Sequence, residues 1–180
     1  MNHVNRFGVD DQKKREQEAN QAVLRCIEDL GYRVRDLTKN LRHQLNGGGD
    51  YKLFGKDTLK LGWRWMVSSE IKNDFRAAET GNFFLEELSN AEKGVKGCIL
   101  ASRSPVFCFH IPPLEQMILV RTREFQDWFR WNFERLPQRT AWSIGWKRYG
   151  RLISVKPLVH ELKDNGHYVK WISYAERKDS

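Results

Sequence analysis

Between residues 11 and 30 the apolar side chains Ala19, Ala22, Val23, Cys26, Ile27 and Leu30 recur every three or four positions. That spacing lays one stripe along a helix. Asp10 or Asp11 is placed to cap its start, and Gly31 to end it in a left-handed turn. Residues 32–37 (YRVRDL) then alternate like a short strand. Three glycines, Gly47, Gly48 and Gly49, deliver the chain to a strand over residues 50–54, and Gly55-Lys56-Asp57 reads as a turn.

The longest alternation runs over residues 59–72, with a bulge at Gly62. It puts Trp63, Trp65, Val67 and Ile71 on one face and Arg64, Ser68, Glu70 and Lys72 on the other. Period 2 with one apolar face marks a strand buried on that side. After the Thr80-Gly81 turn, a third strand is expected over residues 82–88, a fourth over 97–101, and a short apolar one over 105–111 (PVFCFHI). Residues 116–121 read as an edge strand. Residues 123–136 form an amphipathic aromatic helix with Phe125, Trp128, Phe129, Asn132 and Phe133 along one side. The tail holds Trp142, Trp146, Tyr149 and the apolar stretch 152–155, and it ends in a strand or loop at 168–174.

A helix, then mostly adjacent strands, then a helix indicates an α/β domain with a mixed sheet. Its 180 residues suit one domain over 11–180 behind a loose leader at 1–10. Within it a core is expected at about 11–111, and a C-terminal extension at about 112–180.

Composition narrows the function classes. Hydrophobic residues make up 40% of the chain, enough for a core, and the mean hydropathy of −0.67 argues against membrane insertion. No apolar run approaches the roughly 20 residues of a spanning helix, and the first residues lack a signal-type hydrophobic stretch. A cytoplasmic location is the expectation. Cys26, Cys98 and Cys108 form no CxxC pair, and His3, His43, His110, His160 and His167 are scattered. A structural zinc site, which needs clustered ligands, is not indicated. The net charge of +8, spread along the chain, favours a polyanion such as nucleic acid.

Candidate chemistry sits on the hairpin. Asp50 is followed 20 residues later by Glu70-Ile71-Lys72. Side chains two apart on a strand point the same way, with backbones about 6.6 Å apart. Glu70 can therefore hold a metal with Lys72 beside it, orienting a water or stabilising charge on a phosphate. Ile71 points into the core and leaves its carbonyl for the metal. Asp50, on the neighbouring strand, meets Glu70 across the pair. Hydrolysis of a phosphodiester needs such a cation, and Mg²⁺ accepts one or two carboxylates plus water. The plainer alternative is an exposed Glu70–Lys72 salt bridge of little energetic value.

Gly49-Asp50 and Glu70-Ile71-Lys72 resemble the Asp…(Asp/Glu)-x-Lys motif of the PD-(D/E)xK nuclease superfamily. The segment from Glu70 to Asp74 and on through Thr80-Gly81-Asn82 to Glu86 is similar to small phage and bacterial members. The resemblance covers residues 12–111 and implies a restriction-endonuclease-like fold, a mixed central sheet flanked by helices. It implies a metal-dependent endonuclease hydrolysing DNA, with Mg²⁺ (or Mn²⁺ in its place) as cofactor and no small-molecule organic cofactor. Asp50, Glu70 and Lys72 would be catalytic, and Asp50, Glu70 and the Ile71 carbonyl would be metal ligands. Many members add an acid from the first helix; Glu18 flanks the apolar stripe, Glu16 is the fallback, and Asn20 lies nearer the resolvase-like position. A homodimer is implied as well. Glycine replaces the motif's proline before Asp50.

Other residues carry two readings each. Arg76 contacts phosphate or is a plain surface arginine, and the cluster Lys147, Arg148, Arg151 contacts phosphate or is a solvated loop. Asp74 and Glu86 read as turn and strand charges before metal or supporting groups. The Trp128, Phe129, Phe133 stripe reads as core before base stacking or a dimer interface. The competing function is a non-catalytic nucleic-acid-binding or assembly protein that keeps the nuclease fold.

Overall fold

The computed structural model describes residues 9–39, 50–54, 67–143 and 146–175. Helix α1 (Val9–Asp29) turns Ala19, Val23, Cys26 and Ile27 inward, and each large apolar side chain so buried contributes about 1.5–3 kcal/mol. Asp10 and Asp11 lie in its first turn, not at its cap, where their charge complements the helix dipole. Gly31 follows the helix with φ +87°, a conformation that only glycine adopts without strain.

Strands β1 (Arg33–Asp36), β2 (Tyr51–Phe54) and β3 (Val67–Asn73) form an antiparallel meander. The expected first part of the long strand, with Trp63 and Trp65, and the Gly55-Lys56-Asp57 turn lie outside the described residues. From β3 the chain crosses over through residues 74–105 and returns as β6 (Val106–Ile111), parallel to β3. A parallel pair requires such a long crossover. β7 (Gln116–Arg121) and β10 (Val169–Ser173) complete a six-stranded mixed sheet in the order β1-β2-β3-β6-β7-β10. β7 is therefore internal and not the expected edge, because β10 pairs with its far side.

The crossover also opens a second sheet. β4 (Asn82–Asn90) pairs with β5 (Val95–Lys96) and with β9 (Trp146–Ser154), which pairs in turn with β8 (Gln138–Ser143). The strand expected over 97–101 is instead the single turn α3 (Cys98–Ala101). Gly97 permits this by close approach: a Cβ there would lie 2.1 Å from the Glu86 carbonyl oxygen. The short helix α2 (Ala77–Thr80) ends at Gly81, φ +66°. Helices α4 (Thr122–Asn132) and α5 (Val155–Asp164) follow. Five helices and two sheets among the described residues make a mixed α/β architecture with a mixed central sheet. Residues 112–175 supply strands to both sheets.

Alternation sorts the core into two layers. Val106, Cys108, Met117, Leu119 and Ile71 face α1. Phe107, Phe109, Ile118 and Val120 face the other way, onto α4, α5 and the inner side of the second sheet. The aromatic stripe of α4 is core: Phe125 and Phe129 are fully buried, and Phe109 meets Phe125 edge-on at 5.1 Å. No described helix is long and apolar enough to cross a membrane.

Candidate functional site

β3 is a central strand with two unlike faces. Ser69 and Ile71 are buried toward α1, and Ser68, Glu70 and Lys72 are half-buried on the opposite face. The β2–β3 ladder pairs Tyr51 with Ser69 and Lys52 with Ser68, so one further step sets Asp50 opposite Glu70. A hydrogen bond fixes this step, since the Ile71 N–H donates to Asp50 Oδ2 at 3.2 Å. On the other flank Glu70 is in register with Phe107, and Lys72 with Phe109. The carboxylate thus sits between an acid and an aromatic wall.

These neighbours set its electrostatics. Burial pushes the Glu70 carboxyl up to about 8, the Asp50 charge adds to the rise, and Lys72 opposes it. Loss of hydration disfavours the ionised form, as does a like charge nearby. The apolar flank therefore outweighs the amine. Asp50, Glu70 and Lys72 are thereby brought to one place. A strand residue's N–H and C=O leave on the same side, so the Ile71 carbonyl points toward the side occupied by Asp50. Among the described residues no group of three His, Cys, Asp or Glu converges; the site offers two carboxylates, a carbonyl and an amine.

Glu18 and Glu16 are exposed on α1. One polar side chain of α1, Asn20, does reach the motif strand: its Oδ1 accepts from Asn73 Nδ2 at 2.7 Å. Glu18, the expected helix ligand, thus lies on the exposed side of α1, and the amide of Asn20, about half a helical turn further on, is turned toward β3. Its bond opens a buried polar chain. Asn73 Oδ1 lies 2.7 Å from His110 Nδ1, and His110 Nε2 lies 2.7 Å from the Tyr174 hydroxyl. An amide oxygen only accepts, so Nδ1 carries the proton and Nε2 accepts from Tyr174. Burial lowers His110 to about 4, which keeps it neutral. Asn20 also bonds Tyr51, the residue after Asp50. The chain thus ties α1, β2, β3 and β6 together behind the acidic pair. Asn73→Ala should cost about 1–3 kcal/mol, because it strands the buried His110 donor; urea unfolding measures this, and an unchanged midpoint would contradict it.

The other expected contacts are dispersed. Arg76 is exposed at the start of α2. The segment 147–151 is strand β9, whose alternation divides the basic cluster instead of presenting it as one patch. Lys147 lies over the Trp142 ring at 5.2 Å, and Arg148 pairs with the buried Glu86 at 3.1 Å. Arg151 packs on the Phe133 ring at 3.8 Å and donates to the Leu136 carbonyl. With its side chain 12% exposed, Arg151 is engaged by the protein itself. Glu86 is thus a buried ion-pair partner, not a solvated charge. Asp74 accepts from the N–H groups of Ala77 and Phe84 and so ties α2 to β4.

The sequence reading passed over Lys52, which the β2–β3 register sets on the same face as Glu70; alternation from Asp50 would have found it. It also passed over Ser104, whose hydroxyl donates to Ser68 Oγ at 3.4 Å. No local pattern announces that contact. Comparisons with protein-family models, with curated protein sequences and with solved structures return no match to this chain.

Proposed function

We propose that the chain is a metal-dependent endonuclease of PD-(D/E)xK type that hydrolyses DNA phosphodiester bonds. The observation that carries the reading is the juxtaposition of Asp50 and Glu70 on paired strands, with Lys72 two residues on along the same face. A carboxyl held near 8 beside a second acid is one that a divalent cation would convert to its ionised form. The order of elements supports the finer fold assignment: helix, antiparallel meander, crossover, then a strand parallel to the motif strand.

Asp50, Glu70 and the Ile71 carbonyl are the groups that would hold Mg²⁺, or Mn²⁺ in its place. Bound there, the ion would polarise a phosphate oxygen and lower the pKa of the attacking water. Lys72 orients that water or offsets charge gathering on the phosphate. Phe107 and Phe109 keep bulk water from one side, which strengthens each of these interactions. Asn20, Asn73 and Tyr51 brace the two strands from behind. Action on both strands of a duplex would use two such sites, as in a homodimer, which sedimentation can test.

The direct experiment is incubation of supercoiled plasmid, single-stranded and four-way-junction DNA with Mg²⁺, Mn²⁺ or EDTA. Cleavage in either metal, lost in EDTA and in Asp50→Asn, is expected. DNA binding without cleavage in any metal would favour the non-catalytic binding protein.

A further inference from the structure

At the foot of the motif strand lies a groove of about 700 Å³ lined by Arg103, Ser104, Arg121, Thr122, Arg123 and Arg130. It is remote from Arg76 and from the 147–151 strand in sequence, and the fold assembles it. The β6–β7 ladder pairs Val106 with Arg121, and the β3–β6 ladder pairs Val106 with Ser69. One row across the sheet therefore runs Tyr51, Ser69, Val106, Arg121. At roughly 4.8 Å per strand, the Arg121 backbone lies about 10 Å from that of Ser69. The Ser104–Ser68 hydrogen bond joins the groove wall to the face bearing Glu70.

The groove is built for an anion. Four arginines line it against two acids, Glu124 and Asp127. Those acids are taken up by Arg121 at 2.8 Å and Arg130 at 2.7 Å. Arg103 and Arg123 are exposed and form no ion pair among the described residues. The groove also holds the start of α4, an 11-residue helix whose N-terminus has no side-chain cap. Such a terminus carries partial positive charge, and its first N–H, that of Thr122, donates to the Pro105 carbonyl at 3.0 Å. A second, independent feature points the same way. Thr122 is 3% exposed, lines the groove, and its Oγ1 has no hydrogen-bond partner among the described residues. A buried hydroxyl without a partner costs free energy unless a ligand meets it.

We propose that this groove binds a phosphate group of the nucleic-acid strand, held by Arg103, Arg123, Thr122 Oγ1 and the α4 N-terminus, beside the bond to be cut. This rests on the nuclease reading for its purpose, but the binding itself needs neither metal nor chemistry. Phosphate is the shared chemistry of an internal diester and of a 5′-terminal monoester.

The test is fluorescence anisotropy of a labelled 20-nucleotide single strand in EDTA, with a 5′-hydroxyl or a 5′-phosphate, across a salt series. Arg103→Ala/Arg123→Ala should weaken binding about tenfold at low salt. It should also lower the slope of log affinity against log salt by about 1.4, the value for two lost contacts at roughly 0.7 each. Lys156→Ala/Lys163→Ala removes two exposed charges from α5 and should leave the slope unchanged, which separates the groove from net charge. Thr122→Val should weaken binding a fewfold without changing the slope. A wild-type preference for the 5′-phosphate, lost in the double arginine variant, would place a terminal monoester in the groove; equal affinity with the same loss would place an internal diester there. Wild-type affinity and slope in the arginine variant would overturn the proposal. A wild-type protein that never cuts but whose groove variant loses binding would refute the nuclease reading and leave the groove standing.

Discussion

Replacing Glu70 by alanine is expected to lower plasmid cleavage in Mg²⁺ by a factor on the order of 10³ or more, and Lys72→Ala by about 10²–10⁴. The two differ in what they do to DNA. Glu70→Ala removes a negative charge from the face that meets the phosphate, so its affinity for uncut DNA should hold or rise. Lys72→Ala removes a positive one, so its affinity should fall modestly. Neither side chain lies deep enough for its loss to unfold the domain, since both are half-buried on β3. Were the pair only an exposed salt bridge along one strand, each change would alter stability by about 0–1 kcal/mol and leave cleavage untouched. Gel assays on both variants, with anisotropy in EDTA at pH 8.5 for binding, decide between these outcomes. Retention of wild-type cutting by both would remove Glu70 and Lys72 from the chemistry.

The parts of the fold written in short-range pattern were readable. α1 follows from a stripe at helical spacing. The placement of Glu70 and Lys72 away from Ile71 follows from a period of two, and the ladder from Tyr51–Ser69 onward carries Asp50 to Glu70. Pairings between distant segments were not readable. Nothing in residues 116–121 tells that β10, some fifty residues later, covers their outer edge. Nor does the alternation of 82–88 reveal that this strand opens a second sheet with β9. Helix α5 was legible in principle: Val155, Leu158, Val159 and Leu162 keep helical spacing and are all buried. Pro157 obscures it, yet a proline in the first turn costs no intrahelical hydrogen bond. Glu18 illustrates the limit for sites. Its sequence position suited a helix ligand, but the rotation of α1 against the sheet turns Asn20 toward β3 instead. The arginine groove is long-range in part, because Arg103 and Ser104 meet Arg121 and the start of α4 only when β6 and β7 pair.

Glu70 should make the stability of the metal-free protein fall as pH rises. Its carboxyl titrates near 8 in the folded chain, against an ordinary value of 4.5. Between those limits the folded state binds a proton that the unfolded state has released. Stability therefore declines with pH through this window, by up to about 1.4 kcal/mol per unit from this group, and levels off above about 8. Glu70→Gln removes the titration and should raise the melting temperature in EDTA at pH 8.5 by several degrees, since about 1 kcal/mol moves it by roughly 2–4 °C at this size. Asp50→Asn removes the neighbouring charge and should shift the window downward. Binding of a divalent cation requires the ionised carboxylate. Cation affinity should accordingly rise close to tenfold per pH unit below about 8 and flatten above it. Calorimetry in buffers of different ionisation enthalpy should detect about one proton released per ion at pH 6.5 and almost none at pH 9. Parallel stability–pH curves for wild type and Glu70→Gln, or a cation affinity indifferent to pH, would mean that Glu70 titrates as an ordinary surface acid and that no strained acidic pair exists at the hairpin.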